Sequence, residues 1–301
     1  MNRRLCRLCM LWAGMVVGLA TLACEPDPAM SRRVLLIGID GASWKVIEPM
    51  LADGELPTFQ RLVSQGATCP DVDVAHRSSP VAWTSIATGR LSQHHGILNH
   101  ITKLPNGDLI PVTGANRRVK AIWDIASAAG RTVGVVGWWA SWPAEPVRGF
   151  FISDHANPVF VEKLAHDRGY WTADRQKVAN LNKDYYPPAV GSVLAGVATS
   201  KEDFSYDLFA QRTKITPKQR AKLEKTAWYE GDRYDVLRTF FLIDLNQVSA
   251  ALALLQRQPV DLALVYLRAM DPIQHKGWDL AAQSDADEAM LESLRTLGYI
   301  E

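Results

Sequence analysis

The sequence predicts an α/β protein: a three-layer αβα sandwich with a mostly parallel sheet and helices on both faces. Three observations predict it. The short apolar runs Val34 to Ile39, Thr132 to Trp138 and Asp261 to Leu267 have the length of buried strands. Stretches with helix caps or an amphipathic pattern alternate with them, and such alternation builds parallel sheets. Residues able to handle a metal ion or a phosphate come directly after the first and last runs. That is where open α/β sheets gather their ligands.

In chain order, residues 1–23 have the form of an export signal. Arg3, Arg4 and Arg7 precede the apolar stretch Leu8 to Ala23, which is too short to span a bilayer comfortably. The segment ends Leu19-Ala-Thr-Leu-Ala-Cys24, similar to the lipobox of bacterial lipoproteins except for Thr21. Lipidation of Cys24 makes residues 24–31 a tether and anchors the chain to a bacterial membrane, on its periplasmic or cell-surface side. Plain cleavage at Ala23 would instead give a secreted or periplasmic protein. Of the four cysteines, Cys6 and Cys9 leave with the signal, so lipidation of Cys24 excludes a disulfide between Cys69 and any other residue of the chain.

Residues 32–159 form the first part of the core. After the Val34 strand, Ser43 suits an N-cap, Asp53-Gly54 a helix stop, Leu56-Pro57 a second start and Gly66 its end. Ala67 to Val74 suits a short strand. Ser79 caps, and Pro80 opens, a helix running to Thr88 and closed by Gly89. Val119 to Ala129 is amphipathic, with Val119, Ile122, Trp123, Ile125 and Ala126 on one face, and Gly130 ends it. Phe150 to Asp154 adds a short strand. Residues 160–230 are rich in Asp, Lys, Arg, Tyr and Pro and suit an insertion or cap of helices and loops. Residues 231–280 hold a long helix from Tyr234 to Gln256, then the Asp261 strand and Asp271-x-x-x-His275. Residues 281–301 suit a polar helical tail.

The 301 residues, 48% hydrophobic and 22% charged, carry a net charge of +1. That balance gives no broad basic surface for nucleic acid or anionic lipid, so phosphate recognition has to be local.

Each candidate residue has a structural alternative. Asp40 after a strand and before Gly41 suits a dication, and equally a turn. Ser79 suits a cap. A hydroxyl at a helix N-terminus also lies in positive potential beside free N–H groups, where phosphate oxygens bind. Ser78 is its neighbouring rival and Thr84 a further one. Asp271 and His275, four residues apart, share a helical face and suit one zinc-like ion. The alternative has Asp271 as a cap and His275 in solvent.

Taken together and in this order, these stretches resemble the alkaline phosphatase superfamily, in its type I phosphodiesterase/nucleotide pyrophosphatase branch. The resemblance rests on strand-Asp40-Gly41, on Ser79 ahead of Thr88-Gly89-Arg-Leu-Ser-Gln-His-His95-Gly-Ile, and on Asp271-x-x-x-His275. It covers residues 33 to 155 and 235 to 278. It implies hydrolysis of phosphate esters by a Ser79 nucleophile and two divalent metals, zinc by preference. Asp40 would hold one metal, Asp271 and His275 the other, and Ser79 would bridge them. Thr88 and His95 would belong to the substrate side. The partner implied is a small phosphate ester or a lipid or glycan headgroup.

The sequence departs from this pattern in two ways. Position 82 is Ala where some relatives hold a phosphate oxygen with Asn. Beyond His275 there is no His, whereas the family supplies an Asp-His pair and a further His there. Asp154-His155 has the right residues but precedes Asp271, and the expectation is a surface turn. His76, His100 and His166 are expected at the surface. A missing late segment would leave a weak metal site. The alternative function is therefore a catalytically dead homologue acting as a binding or scaffold lipoprotein. Sulfatase and headgroup phosphotransferase are lesser alternatives, the former because Ser78-Ser79-Pro80 lacks the Arg of the sulfatase context.

Overall fold

The structure, a computed structural model, describes residues 33–69, 78–166, 183–213 and 215–277. Its centre is a five-stranded sheet in the order β1-β7-β4-β5-β6. The strands are β1 (Val34–Ile39), β4 (Val133–Trp138), β5 (Gly149–Ser153), β6 (Tyr185–Tyr186) and β7 (Leu262–Leu267). All neighbours run parallel except β6, which pairs antiparallel with β5. A separate hairpin joins β2 (Ile101–Lys103) to β3 (Leu109–Pro111).

Alternation along the central strands divides the core. Leu262, Leu264 and Tyr266 join Val133, Val135, Phe151 and Trp123 on one face. Ala263 and Val265 join Phe150, Ile152, Ala250 and Leu254 on the other. The first face is covered by α3 (Ser79–Thr88) and α5 (Ile122–Ala128), the second by α7 (Val190–Ala195) and α10 (Arg233–Arg257). The expected three-layer α/β arrangement is what the structure has: a mostly parallel sheet with helices on both sides.

The predicted elements β1, β4, β5, β7, α3 and α10 are present within a residue or so at most ends. The start of α5 moves from Val119 to Ile122, and Ile125 is 56% exposed, so the expected apolar face is only partly buried. Ser43 caps α1 (Trp44–Ala52) by accepting from Lys45 N. Helix α2 (Pro57–Gln65) starts at its proline and ends at Gly66. Residues 67–69 are irregular and 70–74 lie outside the described residues, as do the signal, the tether and the tail. The insertion holds α6 (Pro158–His166), α7, α8 (Tyr206–Thr213) and α9 (Pro217–Glu224). Contrary to expectation it also supplies a strand, the two-residue β6.

Two features bear on the functional end of the sheet. Among the described strands β1 is outermost, and Val34, Leu35 and Ile37 are each more than half exposed. In β4 the register slips between Val136 and Trp138. Gly137 absorbs this bulge at φ +67°, and an added Cβ would overlap the Gln247 amide. The slip turns Trp138 onto the face of Val133 and Val135, where it is fully buried.

Gly137→Ala is expected to lower stability by about 1–3 kcal/mol, the usual cost of a non-glycine residue in left-handed backbone. The urea midpoint should fall with an unchanged m value. An unchanged midpoint would refute the bulge's role.

Candidate active site

The site lies at the carboxyl ends of β1 and β7. These strands are in register from Val34–Leu262 to Ile39–Leu267, and Asp40 N donates to Leu267 O at 2.9 Å. The chain then turns at Gly41, with φ +73°. A Cβ there would stand 2.7 Å from the Asp271 Cα and 2.8 Å from its nitrogen, so only glycine lets the two segments touch. Gln274 Nε2 donates to Gly41 O at 2.7 Å and closes the join. Asp40 and α11 (Met270–Gly277), far apart in sequence, are thereby neighbours.

Neutral donors hold the Asp40 carboxylate. Trp83 Nε1 donates to one oxygen at 2.9 Å and the Tyr266 hydroxyl to the other at 2.6 Å. Trp83 is itself wedged edge-on between Trp138 and Tyr266, with centroids 5.3 and 4.8 Å away. Burial, and then the Asp40 charge, push the Tyr266 phenol well above its ordinary value, so it stays a donor.

Ser79 enters through α3. Trp83 comes four residues later and so shares its face one turn on, which places Ser79 a turn from the Asp40 contact. The N-cap is Ser78, with Ser79 at the first helical position, one residue later than expected. The Ser79 hydroxyl makes no hydrogen bond among the described residues. Ser78 Oγ lies 3.2 Å from His100 Nδ1.

Asp271 and His275 do share a face of α11, with Oδ1 and Nε2 3.4 Å apart. Burial, and then the Asp40 charge, raise the Asp271 carboxyl above its usual range, while His275 pulls it back. Asp244 on α10 braces the approach to this helix. Its two oxygens accept from Arg268 N and Ala269 N, both at 2.9 Å. The Arg268 guanidinium is buried over the Phe160 ring at 3.7 Å and donates to Gly137 O. Asp40, Asp271 and His275 are side chains of the types that bind a dication. Among the described residues, however, no three His, Cys, Asp or Glu side chains come together as one metal shell.

Other candidates fall elsewhere. Thr88 lies at the far end of α3 from Ser79, about 13 Å along the helix axis. Its hydroxyl serves the end of its own helix, donating to Thr84 O and accepting from Arg90 N. That distance sets Thr88 apart from Ser79 along the helix. His95, in the short helix α4 (Ser92–His95), is fully buried. Its Nδ1 accepts the Ile97 N–H at 3.1 Å, so Nε2 carries the proton to Ser85 Oγ at 3.0 Å. Its place is inside the fold. Asp154-His155 is not a surface turn. Asp154 is 1% exposed and accepts from Ala140 N, Ser141 N and Trp142 N, while His155 stacks on Trp142. His100, expected at the surface, is half-buried against Trp139 and feels the Asp40 charge. Its partner stands 22 residues upstream, a spacing that no helical or strand period marks. Cys24 lies outside the described residues.

Comparison with known proteins gives a family for the chain. The family model described as type I phosphodiesterase/nucleotide pyrophosphatase matches residues 34–297. No curated protein matches the chain. Among solved structures, phosphonoacetate hydrolase from Sinorhizobium meliloti 1021 in complex with phosphonoacetate is 15% identical, with a TM-score of 0.39. The match covers 80% of this chain and 47% of that one. The same enzyme in complex with phosphonoformate gives 15% identity and a TM-score of 0.37 over the same shares. The chain thus spans about half the length of the solved structures it matches.

Burial pushes both His155 and His100 below their ordinary 6.5, against the opposing pull of nearby acids. The unfolded chain takes up these protons at the ordinary value while the folded chain resists. Stability is therefore full above pH 6.5 and falls as the pH drops toward the folded values. His155→Phe keeps the stack on Trp142 without the charge. It should flatten the fall in unfolding free energy between about pH 7 and about pH 5. An equally steep acid limb would exclude His155 as its source.

Proposed function

The chain belongs to the type I phosphodiesterase/nucleotide pyrophosphatase family, and on that premise we propose that it hydrolyses phosphate esters with Ser79 as nucleophile. One observation carries the reading. Asp40 and the α11 turn carrying Asp271 and His275 touch where β1 and β7 end, and α3 reaches Asp40 through Trp83, one turn from Ser79. Acidic groups gather there, and burial, then the Asp40 charge, raise the Asp271 carboxyl above its usual range. A divalent cation suits such a place.

Family members are typically divalent-metal dependent, and we assign two ions, zinc by preference. Asp40 would hold one, and Asp271 and His275 the other, with Ser79 as the nucleophile they would activate. Bound there, the metals supply Lewis-acid stabilisation of the attacking and leaving oxygens and lower the pKa of the serine hydroxyl. The protein's own residues do the rest. The α3 N-terminus offers positive potential to the phosphoryl oxygens. Trp83 and Tyr266 fix the Asp40 carboxylate, and Asp244 fixes the start of α11. The substrate class is a small phosphate ester or a lipid or glycan headgroup. Exposure of the site to phospholipid or glycan comes from a second part of the proposal: residues 1–23 export the chain and Cys24 carries a lipid anchor.

A second reading, binding without turnover, has its own support. No shell of three metal-binding side chains forms among the described residues.

With zinc or manganese the full chain should hydrolyse bis-p-nitrophenyl phosphate. Ser79→Ala should cost about 10³-fold or more, the scale of losing a nucleophile. The metal should also raise the melting temperature, and Asp271→Asn should abolish that shift. A metal-dependent shift without turnover would favour the binding reading. Turnover equal in Ser79→Ala would end the nucleophile assignment. Membrane fractionation should find the wild-type chain in the membrane and Cys24→Ser in the soluble fraction.

A further inference from the structure

Ser78 occupies the N-cap position of α3, yet its side chain accepts no capping hydrogen bond. The hydroxyl instead faces His100, with Oγ 3.2 Å from Nδ1. That histidine is held from three sides. Its backbone N–H donates to Asn99 Oδ1 at 2.8 Å, its backbone carbonyl accepts from Val112 N at 2.9 Å, and its ring stands edge-on to Trp139 at 6.0 Å. A hydroxyl within reach of an imidazole, with that imidazole carried on a fixed backbone and packed against an aromatic edge, is an arrangement that can activate a serine. We propose that Ser78 and His100 are a nucleophile–base pair able to hydrolyse small carboxylic esters without a metal.

The surroundings supply the remaining parts. Pro80 has no N–H, and the N–H groups of Val81 and Ala82 are used by Ser78 O. The Ser79 N–H takes no acceptor among the described residues. It comes directly after the nucleophile and lies in the positive end of a ten-residue helix, where an oxyanion is stabilised. Ser78 and His100 are both partly exposed, so a substrate can reach them. Val81, Ile97, Val112 and Ala140 form the buried apolar cluster behind them. Burial holds the His100 ring below its ordinary pKa, and the Asp40 charge, acting through space, pulls the other way.

The step balances within these groups. Ser78 Oγ bonds to the ester carbonyl carbon as its proton passes to His100 Nδ1. The acyl–oxygen bond breaks and the alcohol leaves with that proton. Water, deprotonated by the same nitrogen, then releases the acid and restores the hydroxyl. Neither zinc nor Ser79 Oγ takes part, so this activity stands or falls apart from the phosphate-ester reading.

The test uses the full chain in excess EDTA with p-nitrophenyl acetate, and separately with a fluorophosphonate probe read by tandem mass spectrometry. The proposal expects turnover that survives the chelator and a covalent adduct on Ser78. Ser78→Ala and His100→Asn should each lose about 10²-fold or more, the scale of general-base catalysis. Should His100→Asn misfold by circular dichroism, the adduct position in the wild-type chain and Ser78→Ala decide. Chelator-resistant turnover unchanged in Ser78→Ala, an adduct on Ser79, or no adduct at all would overturn the pair.

Discussion

Everything at this site depends on one close approach: the Gly41 backbone against the backbone of Asp271. Two parallel strands set side by side do not by themselves bring their outgoing segments together. Here β1 ends in a left-handed turn and β7 runs directly into a helix, and the absence of one Cβ lets the two exits touch. Each acidic group is then held from the fold side. Trp83 and Tyr266 hold Asp40, and Asp244 holds the start of α11. The end of the sheet thus gathers three carboxyl groups, Asp40, Asp244 and Asp271, with the buried Arg268 close by.

The fold was largely legible because buried parallel strands write themselves as continuous apolar runs. Val133 to Trp138 is buried at every position, and so is Leu262 to Tyr266. Short elements left less trace. Strand β6 is two tyrosines before a proline, stabilised by its pairing to Phe151 and Ile152 and not by any pattern of its own. The β2–β3 hairpin has three-residue arms. Its Asn106-Gly107 was a turn signal that the surrounding irregularity hid.

The candidate site was legible where its residues are local. Asp271 and His275 pair as their spacing says, and Asp40 stands where its strand ends. What escaped were long-range partnerships. His100 gains its meaning from Ser78, and Asp154 from the loop of Ala140 to Trp142. Both joins are made by the fold, and sequence spacing carries no record of them. Thr88 and His95 show the opposite case. Both stand close to Ser79 in sequence, yet the length of α3 puts Thr88 far from it and the packing encloses His95.

The outermost position of β1 has a consequence for handling the protein. Its far side pairs with no described strand, and its apolar residues Val34, Leu35 and Ile37 face water. Such a rim recruits further chain by backbone pairing, in ordered assembly or in precipitation. The same strand delivers Asp40. Solubility and the alignment of the first acidic group are thus mechanically linked: whatever clasps or peels this rim also sets where that carboxylate stands.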